Sequence, residues 1–152
     1  MHSLSLFRAV LAALLMGVTA QAADDCRRVA EQINKTLGHR LDSAELADTL
    51  SALNRDGRLP ARFVTKREAT AAGWKPGRSL WSVDGMDGKS IGGDRFGNFE
   101  GRLPKGNWRE ADLDYHGGKR GPDRLVFEPQ ASGRRYVTVD HYQQFTEVPP
   151  CR

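Results

Sequence analysis

Twelve of the chain's 16 glycines fall between Gly73 and Gly121. Glycine loses more backbone freedom on folding than any other residue, so a long helix through this stretch is disfavoured. The segment must be built from turns with short strands between them. The region before it reads differently. Asp25 to Leu37 places Val29, Ile33 and Leu37 four residues apart on one face, and Gly38 follows as a stop. Asp42-Ser43-Ala44-Glu45 starts a second helix with a carboxylate in place of the usual capping hydroxyl. Leu46, Leu50 and Leu53 form its apolar stripe, and it ends at Asp56-Gly57. Leu59-Pro60 turns the chain. Thr65-Lys66-Arg67-Glu68 is a capping box that opens a short helix ending near Gly73-Trp74.

Strands follow. Ser90 to Asp94 reads as a strand carrying a bulge or a close backbone approach at its glycines. Trp108 to Asp114, Asp123 to Glu128, Arg134 to Asp140 and Gln144 to Val148 alternate with period two between turn signals. Neighbouring strands with short connections pair as an antiparallel meander. Helices first and strands afterwards give an α+β fold, with N-terminal helices packed on a C-terminal antiparallel sheet. The 152 residues suffice for one domain. A charged fraction of 28% and a mean hydropathy of −0.57 exclude a polytopic membrane protein, while 39% apolar residues suffice for a core. The net charge of +4 favours an anionic partner mildly and is also compatible with simple solubility.

The first 22 residues read as a secretory signal rather than as part of the fold. Arg8 precedes an apolar run from Ala9 to Val18, and Ala20-Gln21-Ala22 supplies an A-x-A cleavage site, with Ala23 as the alternative end. The run is too short for an ordinary membrane-spanning helix. The expected product is a secreted or periplasmic domain, residues 23–152, with no membrane attachment. Export decides how Cys26 and Cys151 are read. In an oxidising compartment a lone pair near the two ends is expected to form a disulfide, with two free thiols as the alternative. Two cysteines this far apart in sequence make no metal-ligand cluster, and neither metal nor cofactor is expected.

Strand alternation also places the polar residues. Ala111 and Leu113 share one face of their strand, and Glu110 and Asp112 the other. Leu125 and Phe127 oppose Arg124, and Val137 and Val139 oppose Thr138 and Asp140. Each strand therefore has an apolar side for the helices and a polar side. The polar side collects Glu110, Asp112 and Arg124, with Arg120 and His141 at nearby strand ends. A carboxylate and an imidazole form a competent acid–base pair near neutral pH. Fixed cations beside them suit a substrate that gains negative charge, such as a phosphodiester. Glu110 with Arg124 could equally be a cross-strand ion pair, and a single histidine beside a tyrosine is more often structural.

Eight blocks in order carry a resemblance: Leu59-Pro60, 64–69, Gly73-Trp74, 88–94, 98–104, 108–112, Asp123-Arg124 and 140–146. Across about Ala44 to Val148 the chain resembles the barnase-like, guanyl-preferring ribonucleases of the microbial ribonuclease family. The resemblance implies the microbial ribonuclease fold and a metal-independent endoribonuclease acting on single-stranded RNA, without a cofactor. It matches Glu110 to the general base, His141 to the general acid, and Lys66, Arg120 and Arg124 to the phosphate-binding cations. Asn98, Phe99 and Glu100 fall in the guanine loop, where Glu100 would accept from the base. Phe96 and Tyr142 would line the same cleft. Asp112 matches a buried carboxylate that orients the arginines.

Phe99 stands where the family carries arginine, and Gly97 where it carries serine. The turn between Leu103 and Trp108 is shorter than in the family, and the hairpin around Gln130 to Gly133 is longer. The first helix and both cysteines lie outside the resemblance and read as an added staple. A monomer is expected, with a barstar-like inhibitor as a protein partner. The alternatives are a binding module for RNA or protein on the same fold, and a toxin role for the enzyme; the intact set of five charged residues argues against a non-catalytic module.

Overall fold

A computed structural model describes residues 24–152, so the proposed signal lies outside the described residues. Helix α1 spans Cys26–Thr36 and α2 spans Ser43–Asp56. The Asp25 carboxylate caps α1 by accepting from the Arg27 N–H, and Asp42 caps α2 by accepting from the Glu45 N–H. Helix α3, Lys66–Ala71, opens on a complete capping box between Thr65 and Glu68. Each helix thus starts where the sequence supplies an acceptor for an otherwise orphaned N–H.

The six strands lie in sequence order across one sheet: β1 Phe63–Val64, β2 Ser90–Phe96, β3 Trp108–Asp112, β4 Arg124–Phe127, β5 Arg135–Thr138 and β6 Thr146–Glu147. From β2 onward the pairing is the expected antiparallel meander. The fold is α+β, as its sequence implied. Strand β1 departs from that reading, since it pairs parallel to β2. Two residues are too short to show alternation, so only tertiary pairing reveals it.

Helices α1 and α2 cover one face of the sheet. Leu46, Leu50 and Leu53 pack there with Ala111, Leu113, Leu125, Phe127 and Val137. Burying each leucine side chain contributes roughly 1.5–3 kcal/mol before entropy is counted. Cys26 and Cys151 form a disulfide that joins α1 to the C-terminal segment. That segment also pairs by backbone, with Cys26 N–H donating to Arg152 O and Arg152 N–H to Asp24 O.

The opposite face corrects the expectation of a simply polar side. Trp108 and Val126 are buried there with Leu103, and Phe96, Tyr136, Tyr142 and Phe145 pack against them. This second apolar cluster is the base on which the polar residues stand.

Candidate active site

One glycine sets the composition of this face. Gly92 lies opposite Ala111 on the helix side, yet Asp94 lies opposite Glu110 and Phe96 opposite Trp108. Strict alternation would place Asp94 and Phe96 on the same side as Gly92. The extra residue, Gly93, makes a β-bulge at φ +101°, a conformation that side-chain-bearing residues avoid. The bulge flips the end of β2, so that Asp94 and Phe96 join Glu110. The Asp94 carboxylate then accepts the backbone N–H of Lys66 at 3.0 Å. This bond fixes the start of α3 beside Glu110, and Lys66 lines the same cleft as Glu110.

Glu110 occupies the middle of β3, flanked by Asp94 on β2 and Val126 on β4. Its carboxylate accepts a hydrogen bond from the Tyr142 hydroxyl at 3.0 Å. Burial and the nearby Glu110 charge push the Tyr142 phenol up to about 12. The phenol therefore remains a proton donor to Glu110 throughout the physiological range.

Asp112, two residues on, is only 2% exposed. Both its oxygens accept from Arg120, from Nε and from one terminal nitrogen, each at 2.7 Å. Arg124 pairs with Asp112 in the sheet register, and its Nε stands 3.1 Å from Oδ1 without hydrogen-bond geometry. Arg124 also donates to the carbonyls of Gly121 and Asp123. Burial works against the charge on Arg120, but its hydrogen bonds to Asp112 and the charge there outweigh burial and raise its pKa. A buried carboxylate thus holds two guanidinium groups side by side.

His141 and Tyr142 follow β5, and both have positive φ, 53° and 69°. Two such residues in succession cost of order 1–3 kcal/mol each. The loop is over-determined by hydrogen bonds. Asp140 Oδ1 accepts from the Thr138 hydroxyl and from the N–H groups of Gln143 and Gln144. The Thr138 hydroxyl in turn accepts from the Tyr142 N–H. The Gln144 N–H is the largest contributor to holding the Asp140 carboxyl below its usual pKa. The His141 ring is exposed and lies 4.9 Å from the Tyr142 ring. Tyr142 therefore touches both Glu110 and His141.

A cleft of about 310 Å³ opens beside Glu110. The Phe96 and Tyr142 rings stack 5.1 Å apart along it. The loop from Gly97 to Leu103 contributes Gly97, Asn98, Phe99, Glu100 and Arg102 to its lining. Asn98 holds that loop closed, donating to Leu103 O and accepting from the Leu103 N–H. Its amide is thereby committed to loop structure. Glu100 is exposed and accepts from Arg102 Nε at 2.7 Å, and Arg102 also donates to Gln143 O, beside which it lines a neighbouring groove. Phe99 is 99% exposed at the lip. A Cβ at Gly97 would run into its ring, so Gly97 permits this pose.

The residues read from the sequence fall into two groups. Lys66, Phe96, Asn98, Phe99, Glu100, Glu110 and Tyr142 line the cleft. Asp112, Arg120, Arg124 and His141 lie beyond that lining; His141 and Arg124 adjoin it at the Tyr142 ring, at 4.9 and 5.9 Å, and Asp112 joins Arg120 to Arg124. Sequence reading missed Asp94, Thr138, Asp140 and Arg102, which position the others. Asp94, Arg102 and Asp140 lie inside blocks that carry the resemblance, and alternation had already placed Thr138 and Asp140 on the polar side of their strand. Among the described residues no three His, Cys, Asp or Glu converge as metal ligands, and no helix is long and apolar enough to cross a membrane.

A family model described as ribonuclease matches residues 47–149, so α1 precedes the match and Cys151 follows it. A ribonuclease of Bacillus pumilus is 38% identical over 95% of this chain and 94% of its own. A ribonuclease of Bacillus intermedius is 46% identical over 60% of this chain and 56% of its own. One of Heyndrickxia coagulans is 45% identical over 60% of this chain and 84% of its own. The chain belongs to the ribonuclease family.

Proposed function

We propose that this chain is an exported endoribonuclease that cleaves single-stranded RNA 3′ of guanosine without a metal ion. The observation that carries the reading is the Glu110 carboxylate, held by Tyr142 in a cleft with Lys66 on one side and the Asp112-anchored arginines beyond.

In this reading the Glu110 carboxylate takes the proton of the ribose 2′-hydroxyl. The freed oxygen attacks phosphorus, and the bond from phosphorus to the 5′-oxygen breaks. His141, as the imidazolium, gives its proton to that departing oxygen. The product is a 2′,3′-cyclic phosphate. Water then opens the ring with the two roles exchanged, His141 taking the proton of water and Glu110 returning one to the 2′-oxygen. Lys66, Arg120 and Arg124 stabilise the charge that accumulates on the phosphoryl oxygens. Asp112 fixes the arginines and takes no proton. Glu100 accepts from the guanine edge, which requires it to share or release Arg102. Phe96 and Tyr142 pack against the base, and Asn98 shapes the loop around it.

Residues 1–22 would direct export, leaving a monomeric domain of residues 23–152. The same cationic cleft is the surface that an acidic, barstar-like inhibitor would cover. The deciding experiment is a digest of a defined RNA with chelator present. Cleavage that leaves 3′ ends on guanosine, passes through a cyclic phosphate and spares DNA is expected. Activity lost to chelator and restored by a divalent ion, or DNA cut at a comparable rate, would refute it.

A further inference from the structure

The bulge at Gly93 has a second consequence, on the helix side of the sheet. It sets Arg95 directly opposite Arg109 on β3. Like charges facing each other across two strands are destabilising, and no carboxylate offsets this pair. Neither guanidinium has an ion-pair or hydrogen-bond partner among the described residues, and the same holds for Arg58. Arg27, Arg40, Arg67, Arg78 and Arg152 also lack such a partner among the described residues, but none of them lines the catalytic cleft or the groove beside it, whereas Arg62, Arg102, Arg120, Arg124, Arg134 and Arg135 are engaged with acceptors on the protein.

These three cations are not scattered. Arg58 and Arg109 line a groove of about 490 Å³ whose walls include Leu59, Phe63 and Phe127. Its acidic member, Glu68, is already committed to the α3 capping box. Arg95 lines the catalytic cleft and is the cross-strand neighbour of Arg109. It therefore connects the two cavities around the part of β2 that β1 leaves uncovered, since β1 pairs only with Ser90 and Ile91.

We propose that Arg95, Arg109 and Arg58 form a phosphate-binding track that carries an RNA strand out of the cleft and onto the helix-side groove. The inference rests on the RNA-cleaving reading above and extends it: the enzyme holds several nucleotides beyond the one it cuts. Unpaired arginines in a row match a polyanion, and the apolar groove wall matches sugar and base surface.

The test compares wild type with Arg58→Ala/Arg109→Ala on two substrates, a GpN dinucleotide and a 12-nucleotide RNA with one central guanosine. Turnover of the dinucleotide should stay within twofold. For the 12-mer, KM should rise several-fold, and the slope of log affinity against log salt should fall by about 1.4, or 0.7 for each lost single-strand contact. Equal effects on both substrates, or an unchanged slope, would overturn the track. Arg58→Glu, at an exposed position, repeats the test should removal of Arg109 loosen the sheet, and here too an unchanged slope is a refutation. If wild type cleaves neither substrate, the ribonuclease reading itself fails. The track is then judged separately, by the salt slope of binding of the same labelled 12-mer, and equal slopes in wild type and variant reject it.

Discussion

The Tyr142 hydroxyl donates to the Glu110 carboxylate at 3.0 Å, and burial with that nearby charge raises the phenol to about 12. The tyrosine is thus both wall and tether of the cleft. Ultraviolet titration should show one phenol ionising about two units above the ordinary value near 10, and Glu110→Gln should bring it down. The folded chain holds this proton more tightly than the unfolded chain. Its contribution is therefore complete below pH about 10 and lost as pH rises towards 12. Urea midpoints measured at pH 9 and pH 11.5 should fall further for wild type than for Tyr142→Phe.

Glu110→Ala and His141→Ala should each lower kcat by at least ~10²-fold with the far-ultraviolet circular dichroism unchanged. Both side chains touch Tyr142 but neither supports the main core. The pH–rate profile of wild type should be bell-shaped, and each variant should lose one limb. A near-wild-type rate in either variant removes that residue from the mechanism.

Asp112→Asn should cost both stability and rate. The substitution leaves Arg124, almost wholly buried, and Arg120 beside a neutral group. Breaking one side of a buried ion pair costs about 3–5 kcal/mol. Denaturant midpoints report the stability, and a fall in kcat without recovery at low temperature reports the loosened arginines.

Reduction of Cys26–Cys151 should lower Tm while leaving activity at 25 °C intact. The two cysteines are 125 residues apart, so the cross-link restricts the unfolded chain by up to about 4–5 kcal/mol. For a domain of this size that corresponds to roughly 10–20 °C. No side chain of the cleft touches the bridge; its polar neighbour is Asn54, which donates to Cys151 O. Loss of activity at 25 °C on reduction would show that the bridge also shapes the site.

Phe99→Arg should steepen the salt dependence of substrate binding by about 0.7 and leave the G-to-A preference nearly unchanged. The ring is fully exposed at the cleft lip, whereas the proposed mechanism gives the contact with the base to Glu100, a separate side chain of the same loop. Kinetics on GpN and ApN across a salt series measures both quantities. A several-fold change in base preference at constant slope would mean that Phe99 reads the base by stacking.

Much of the scaffold is local and therefore legible. Asp42, Thr65 and Glu68 cap helices because an acceptor one turn away can satisfy an orphan N–H, and that needs only three residues of sequence. The glycine-rich middle disfavours long helices, and period-two alternation puts Ala111, Leu125 and Val137 under the helices with Glu110, Asp112 and Arg124 opposite. What tertiary structure decided is register and proximity. A bulge at Gly93 adds one residue and so reverses every side chain beyond it; this brings Asp94 to Lys66 and Arg95 to Arg109. The left-handed turn at His141 and Tyr142 exists because Asp140 and Thr138 hold it. Pairing of Asp112 with Arg120 depends on where a loop returns to the sheet. Such contacts join residues by hydrogen bonds and packing across the sheet, and no repeat along the chain encodes them.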